Sequence, residues 1–125
     1  MSDSVEVILS VGSNCGDRCS QVSAGAEWLK TLLSDTRISS IYSTGDCHGG
    51  PRDYYNAVVR GMTSLDISNL DNLCKEYELS HGRTPEVRSK GDVPIDIDVV
   101  VYDNEIVRPN DFRREFFQIG YLQLQ

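Results

Sequence analysis

An α+β fold is predicted: a βαββαβ order in which an antiparallel sheet carries both helices on one face, followed by a short tail. Three observations lead there. Strand-length runs rich in Val and Ile stand near the start, in the middle and near the end of the chain. Two stretches between them repeat apolar residues every three or four positions. Segments rich in Gly, Asn and Ser punctuate the rest.

Residues 5–12 (Val-Glu-Val-Ile-Leu-Ser-Val-Gly) are apolar and β-branched and stop at Gly12, as a buried strand does. Ser13-Asn14-Cys15-Gly16-Asp17 is turn chemistry. From about residue 18 to 33, Val22, Ala26, Leu29 and Leu33 share one helical face. Residues 37–43 form the second predicted strand. Residues 44–52, with Gly45, Gly49, Gly50 and Pro51, are too polar to be buried and read as a loop. Residues 54–62 form the third strand. Asp66 or Ser68 caps a helix that turns Leu65, Ile67, Leu70, Leu73, Cys74 and Tyr77 to the core and ends near His81-Gly82. A second polar loop spans 83–93, and residues 95–102 form the fourth strand. After the turn Asp103-Asn104, residues 105–107 can return as a short strand, and 112–124 can dock as a short helix or irregular segment. The sum is the split βαβ, ferredoxin-like sandwich. Its free sheet face and two polar loops are the natural place for a ligand.

The 125 residues suffice for one domain, 1–125, and not for two cores. Lys plus Arg is 12 and Asp plus Glu is 19, a net charge of −7 with no basic tract. Such a chain is a poor nucleic-acid binder. No apolar run approaches the ~18–20 residues of a membrane span. The N-terminal Met1-Ser2-Asp3-Ser4 lacks the marks of a signal peptide, so the cytoplasm is the expected compartment. A monomer is expected, with a dimer as the alternative. Cys15, Cys19, Cys47 and Cys74 form no C-x-x-C pair and are expected as free thiols. A zinc set of Cys15, Cys19, Cys47 and His48 has the wrong spacing.

Asp96-Ile97-Asp98 is the sharpest chemical feature. Strand side chains alternate, so both carboxylates face one side and Ile95, Ile97 and Val99 the other. Neighbouring carboxylates repel unless a cation lies between them, and such oxygen ligands, completed by phosphate and water, suit Mg²⁺. Two unrelated solvent-facing acids would look the same. Tyr54 and Asn56 form a second pair two residues apart: a ring able to stack on a flat heterocycle, and a carboxamide able to pair with its edge. They fit equally a core tyrosine and a structural asparagine. Arg83, Arg88 and Lys90 cluster before the Asp96 strand, as a polyphosphate–metal site or ordinary surface charge would. Gly12-Ser13-Asn14 is not a Walker phosphate loop.

In this order and spacing, several segments resemble the 6-hydroxymethyl-7,8-dihydropterin pyrophosphokinase family of folate biosynthesis. They are residues 7–18 (opening Val-Ile-Leu-Ser-Val-Gly-Ser-Asn), 39–44, 53–59, Glu78-Leu79-Ser80-His81-Gly82-Arg83 and 95–102. The resemblance implies a ferredoxin-like α+β enzyme that moves pyrophosphate from ATP to the pterin hydroxymethyl group. It gives catalytic roles to Arg83, Asp96 and Asp98, and two Mg²⁺ ions to Asp96 and Asp98. Thr44, Gly45, Tyr54, Asn56 and Phe116 would bind the pterin. Glu78, Arg83 and Arg88 would bind the nucleotide.

The chain also departs from the family. Lys90 stands where an aromatic closes over the pterin, and Val93 where an arginine stabilises phosphate. A Pro-His segment after Val107 is missing. Arg88, Lys90, Arg113 or Arg114 would have to replace the lost cation. The competing readings are a non-catalytic homologue that binds a pterin or nucleotide, and a ferredoxin-like interaction module. Loops 44–52 and 83–93 are expected to be the most mobile parts.

Overall fold

The computed structural model describes residues 3–125. The strand β1 (Val5–Ser13) is buried on both faces along most of its length, so it must lie in the middle of the sheet. It is flanked by β4 (Tyr54–Thr63) and β5 (Asp96–Tyr102), both antiparallel to it. Outside β4 lie β2 (Ser34–Ile38) and β3 (Tyr42–Thr44), and outside β5 lies the two-residue β6 (Glu105–Ile106). Every pairing is antiparallel, in the order β2-β4-β1-β5-β6 with β3 also on β4. The helix α1 (Arg18–Leu32) joins β1 to β2 with β4 inserted between them, as the split βαβ order requires.

The predicted second strand is divided. Ser39 leaves the β2 ladder, and its side chain takes over a ladder position: Val58 N–H donates to Ser39 Oγ at 2.8 Å. Ser39 N–H returns a bond to Val58 C=O at 2.9 Å. The loop predicted over 83–93 contains the one-turn helix α3 (Pro85–Ser89), with Pro at its start and a bond from Val87 N–H to Thr84 Oγ1.

α1 and α2 (Ile67–Ser80) lie on one face, as expected. Val22, Ala26 and Leu29 of α1 and Leu70, Cys74 and Tyr77 of α2 join one core with Val7, Leu9 and Val11 of β1. Asp17 accepts from Ser20 N–H and Asp66 from Asn69 N–H, so Asp66 rather than Ser68 caps α2.

The tail adds a second layer. It forms α4 (Pro109–Phe112) and α5 (Glu115–Gln123), and α5 crosses the opposite face. Phe117 and Leu124 bury there against Ile8, Val58 and Val100. Burial of Phe117 alone is worth about 1.5–3 kcal/mol. Gly120 allows the close approach: a Cβ there would stand 2.5 Å from Val58 Cγ2. A bulge in β5 aids this packing. Ile8 pairs with Val101 and Leu9 with Val99, so Val100 is the extra residue and both Val100 and Val101 join the second core.

Candidate functional site

α5 covers only part of the second face. The rest is open, and three central strands present it. Gly12 of β1 pairs with Asn56 of β4 on one side and Asp96 of β5 on the other. One step along, Ser10 pairs with Asp98. Because alternation sends Val11, Ala57 and Ile97 into the helix-covered core, Asn56, Asp96 and Asp98 share the opposite face. Gly12 keeps the floor low: a Cβ there would meet Asn56 Oδ1 at 3.3 Å and Tyr54 Cδ2 at 3.6 Å.

A cleft of about 160 Å³ rises from this floor. Thr44, Gly45, Tyr54, Asn56 and Phe116 border it together with Asp96 and Asp98. Asn56 is buried, and its Nδ2 donates to Thr44 Oγ1 at 2.9 Å. That bond fixes the carboxamide's rotation. Phe116 is placed by Tyr42, whose hydroxyl donates to Phe116 C=O at 2.5 Å and accepts from Gly120 N–H at 3.0 Å.

Beyond the aspartates lies a second hollow of about 450 Å³, bordered by Lys75, Glu78, Arg83, Arg88 and Arg108. Asp96, Asp98 and Arg108 border both spaces. The carboxylate pair is therefore a ridge between an aromatic–amide cleft and a cationic one.

Glu78 organises the ridge from beneath. It is buried, and its Oε2 accepts from Ile97 N–H at 2.8 Å at the open edge of β5. Lys75 Nζ donates to Ile97 C=O at 3.2 Å. In this way α2 substitutes for a missing neighbour strand. Lys75 also sits 3.1 Å from both Glu78 Oε2 and Asp98 Oδ1. Arg83 Nη1 bridges Glu78 Oε1 at 2.9 Å and Asp96 Oδ1 at 2.7 Å. Arg108 Nη1 is 3.9 Å from Asp98.

The two aspartates differ. Burial, then the charge of Asp98, raises the Asp96 carboxyl above its ordinary range despite Arg83. Burial acts the same way on Asp98, but the hydrogen bond from Asp96 and the charges of Lys75 and Arg108 outweigh it, so Asp98 stays ionised to lower pH. Like charges this close draw the two titrations of the pair apart.

The donor set fits a divalent cation. Two hard oxygen ligands share one face, and their mutual repulsion favours a cation between them. Among the described residues no group of three or more His, Cys, Asp and Glu ligands could hold a metal. A lone carboxylate pair is what Mg²⁺ uses when water and phosphate complete its shell. The cysteines are free thiols, and the zinc set is not assembled.

The family model for 7,8-dihydro-6-hydroxymethylpterin-pyrophosphokinase matches residues 8–125. The chain belongs to this family.

Similar proteins agree with it. The 2-amino-4-hydroxy-6-hydroxymethyldihydropteridine pyrophosphokinase of Aquifex aeolicus is 32% identical over 130 residues, covering 95% of this chain and 79% of that protein. The enzyme of that name from Porphyromonas gingivalis is 30% identical over 128 residues, covering 90% and 86%. A folate synthesis bifunctional protein of Arabidopsis thaliana is 34% identical over 100 residues, covering 78% of this chain and 20% of that protein. The chain thus spans about a fifth of the bifunctional relative and most of the shorter ones. No helix among the described residues is long and apolar enough to cross a membrane.

Within this pyrophosphokinase fold, the segment 12–18 acts as a latch. Asn14 holds the end of the second loop: its Nδ2 donates to Gly91 C=O at 3.0 Å and its Oδ1 accepts from Val93 N–H at 2.6 Å. Arg18 holds the end of the first, donating to Asp53 C=O at 2.8 Å. An ion pair between Arg52 and Asp92 joins the two loops. Of the cations expected to replace the family arginine at Val93, Arg88 borders the cationic hollow; Lys90, Arg113 and Arg114 border neither space. Lys75 and Arg108 are the residues that sequence reasoning misses. The signal for Lys75 was present, since it lies three residues before Glu78 on one helix face.

Proposed function

We propose that this chain transfers the pyrophosphoryl group of ATP to the hydroxymethyl group of 6-hydroxymethyl-7,8-dihydropterin and releases AMP. The observation that carries this reading is the position of Asp96 and Asp98 on the ridge between the two hollows. A reaction that joins a flat heterocycle to a polyphosphate needs its charge-handling groups at such a boundary.

The pterin occupies the cleft of Asn56. The carboxamide, held by Thr44, pairs with the pyrimidinone edge, the rings of Tyr54 and Phe116 flank the heterocycle, and Thr44 and Gly45 add backbone contacts. The triphosphate lies along Arg83 and Arg88. Glu78 acts indirectly, by holding Arg83 in place. Asp96 and Asp98 would hold Mg²⁺, two ions in this reading; when bound, the metal neutralises the phosphate oxygens. The pterin hydroxyl oxygen attacks the β-phosphorus as its proton passes to solvent, the bond from that phosphorus to the α-phosphate oxygen breaks, and AMP leaves.

The test is AMP release by the purified protein with Mg²⁺ and ATP, with and without the pterin. Pterin-dependent AMP supports the proposal. Binding of the pterin or nucleotide without turnover supports a non-catalytic homologue, the reading favoured by Val93 at the place of a phosphate-binding arginine.

A further inference from the structure

The transfer needs fixed positive charge at the triphosphate, and Val93 supplies none. We infer that Lys75 and Arg108 supply it, by exchanging Asp98 for phosphate when the substrates bind. The inference rests on the pyrophosphokinase reading and assigns two residues that the family resemblance left without a role.

Charge and geometry carry the argument. Three carboxylates (Glu78, Asp96, Asp98) face three cations (Lys75, Arg83, Arg108) across contacts of 2.7–3.9 Å. Arg83 is tied to two carboxylates and its side chain is only 20% exposed. Lys75 and Arg108 are 41% and 49% exposed, and both border the cationic hollow. Lys75 sits 3.1 Å from Asp98, whereas Arg108 is held first by Asp111, to which its Nε donates, and lies 3.9 Å from Asp98. Once Asp98 is engaged by a divalent cation, that partner is lost and two like charges crowd it. Lys75, which keeps Glu78, and Arg108, which keeps Asp111, then each have a donor free for the phosphate oxygens in the hollow they already border. The ammonium of Lys75 is suited to this, as a point charge on a flexible stem. Arg108 also borders the pterin cleft, so it can follow charge across the ridge.

A purely structural Lys75, present only to neutralise buried Asp98, predicts something different. The two roles separate in binding rather than turnover. The experiment measures Lys75→Gln and Arg108→Gln against wild type by calorimetry. The probes are Mg²⁺ alone, AMP, and the Mg²⁺ complex of α,β-methylene-ATP, which cannot be cleaved at the reacting bond. Loss of a charge-assisted contact predicts binding of the methylene analogue about 10–100-fold weaker in Lys75→Gln. AMP affinity should be unchanged. Mg²⁺ alone should bind at least as tightly as in wild type, because Asp98 has lost a competitor. Lys75→Arg should recover most of the analogue binding. Opposite changes for metal and triphosphate are not expected of a structural lysine. Unchanged analogue binding in both glutamine variants overturns the inference and leaves the enzyme reading standing. Parallel loss of all three ligands overturns it as well. Wild type that fails to bind the analogue overturns both readings. If Lys75→Gln does not fold, Arg108→Gln decides with the same probes.

Discussion

One guanidinium nitrogen of Arg83 lies 2.9 Å from Glu78 and 2.7 Å from Asp96, so a helix and a strand share a single cation. Glu78 adds Lys75 and the backbone of Ile97 to the same cluster. Glu78→Ala is expected to lower stability by about 1–3 kcal/mol, since it leaves a buried N–H and two cations short of an acceptor. Glu78→Gln should cost less. Urea unfolding of both variants checks this, and a Glu78→Ala midpoint equal to wild type would refute it.

Asp96→Asn and Asp98→Asn should both lower turnover by about 10²–10³-fold, the loss expected when transition-state charge is left uncompensated. Their effects on stability should differ. Asp96 is the more exposed of the two and its carboxyl is already raised by burial and the charge of Asp98, so its amide should cost less. Asp98 is the buried carboxylate that Lys75 faces at 3.1 Å, so its amide should lower the melting temperature more. Equal melting temperatures would mean that the two carboxylates are anchored equally.

Asn56→Ala should weaken pterin binding about 10–100-fold, by removal of a fixed donor–acceptor edge. Affinity for the ATP analogue should hold, because Asn56 borders only the first cleft. Titration of each ligand separately tests this, and a parallel loss of both would refute it.

Tyr42→Phe removes the hydroxyl that ties α5 to the sheet at Phe116 and Gly120. Stability should fall by about 1 kcal/mol, because the tie from the sheet is lost while Phe116 C=O and Gly120 N–H, four residues apart in α5, can still pair with each other. Amide exchange should quicken in α5, and the pterin affinity should drop with it. Unchanged exchange at residues 115–123 would show that α5 is held by its apolar face alone.

Arg52→Ala should raise amide exchange in both polar loops at once, since the ion pair with Asp92 joins them. Global stability should change by less than about 1 kcal/mol, as is usual for an exposed pair. Faster exchange in one loop only would mean that the loops move independently.

Much of this was legible in the sequence, for physical reasons. Alternation over residues 95–99 put Asp96 and Asp98 on one face and Ile95, Ile97 and Val99 in the core. The helical spacing of Val22, Ala26 and Leu29 located α1. Strand spacing paired Tyr54 with Asn56, while their meeting with Thr44 and Phe116 followed from the ordered resemblance. The division of the second strand could not be read, because it turns on one Ser39 hydroxyl replacing a backbone acceptor. The spacing of Lys75 to Glu78 was visible but not that α2 brings it to the edge of β5, and Arg108 lies in a connection before α4 with no periodic signal. The one-turn helix at Pro85 is too short for a periodic signal.

The placing of β1 bears on how the protein is made. Its two partners, β4 and β5, both come later in the chain, and β5 is separated from it by more than half the sequence. During synthesis the central strand emerges first and waits with both edges open. Residues 96–102 must leave the ribosome before the second edge is closed, and the tail before the other sheet face is covered. Long-range pairing of this kind is slow and exposes apolar strand to neighbours. The ridge between the two hollows is thus a late product of folding. Chains stalled before Asp96 would carry a sticky half-sheet and no chemistry, and yield in expression should respond to synthesis rate and temperature more than the stability of the finished protein suggests.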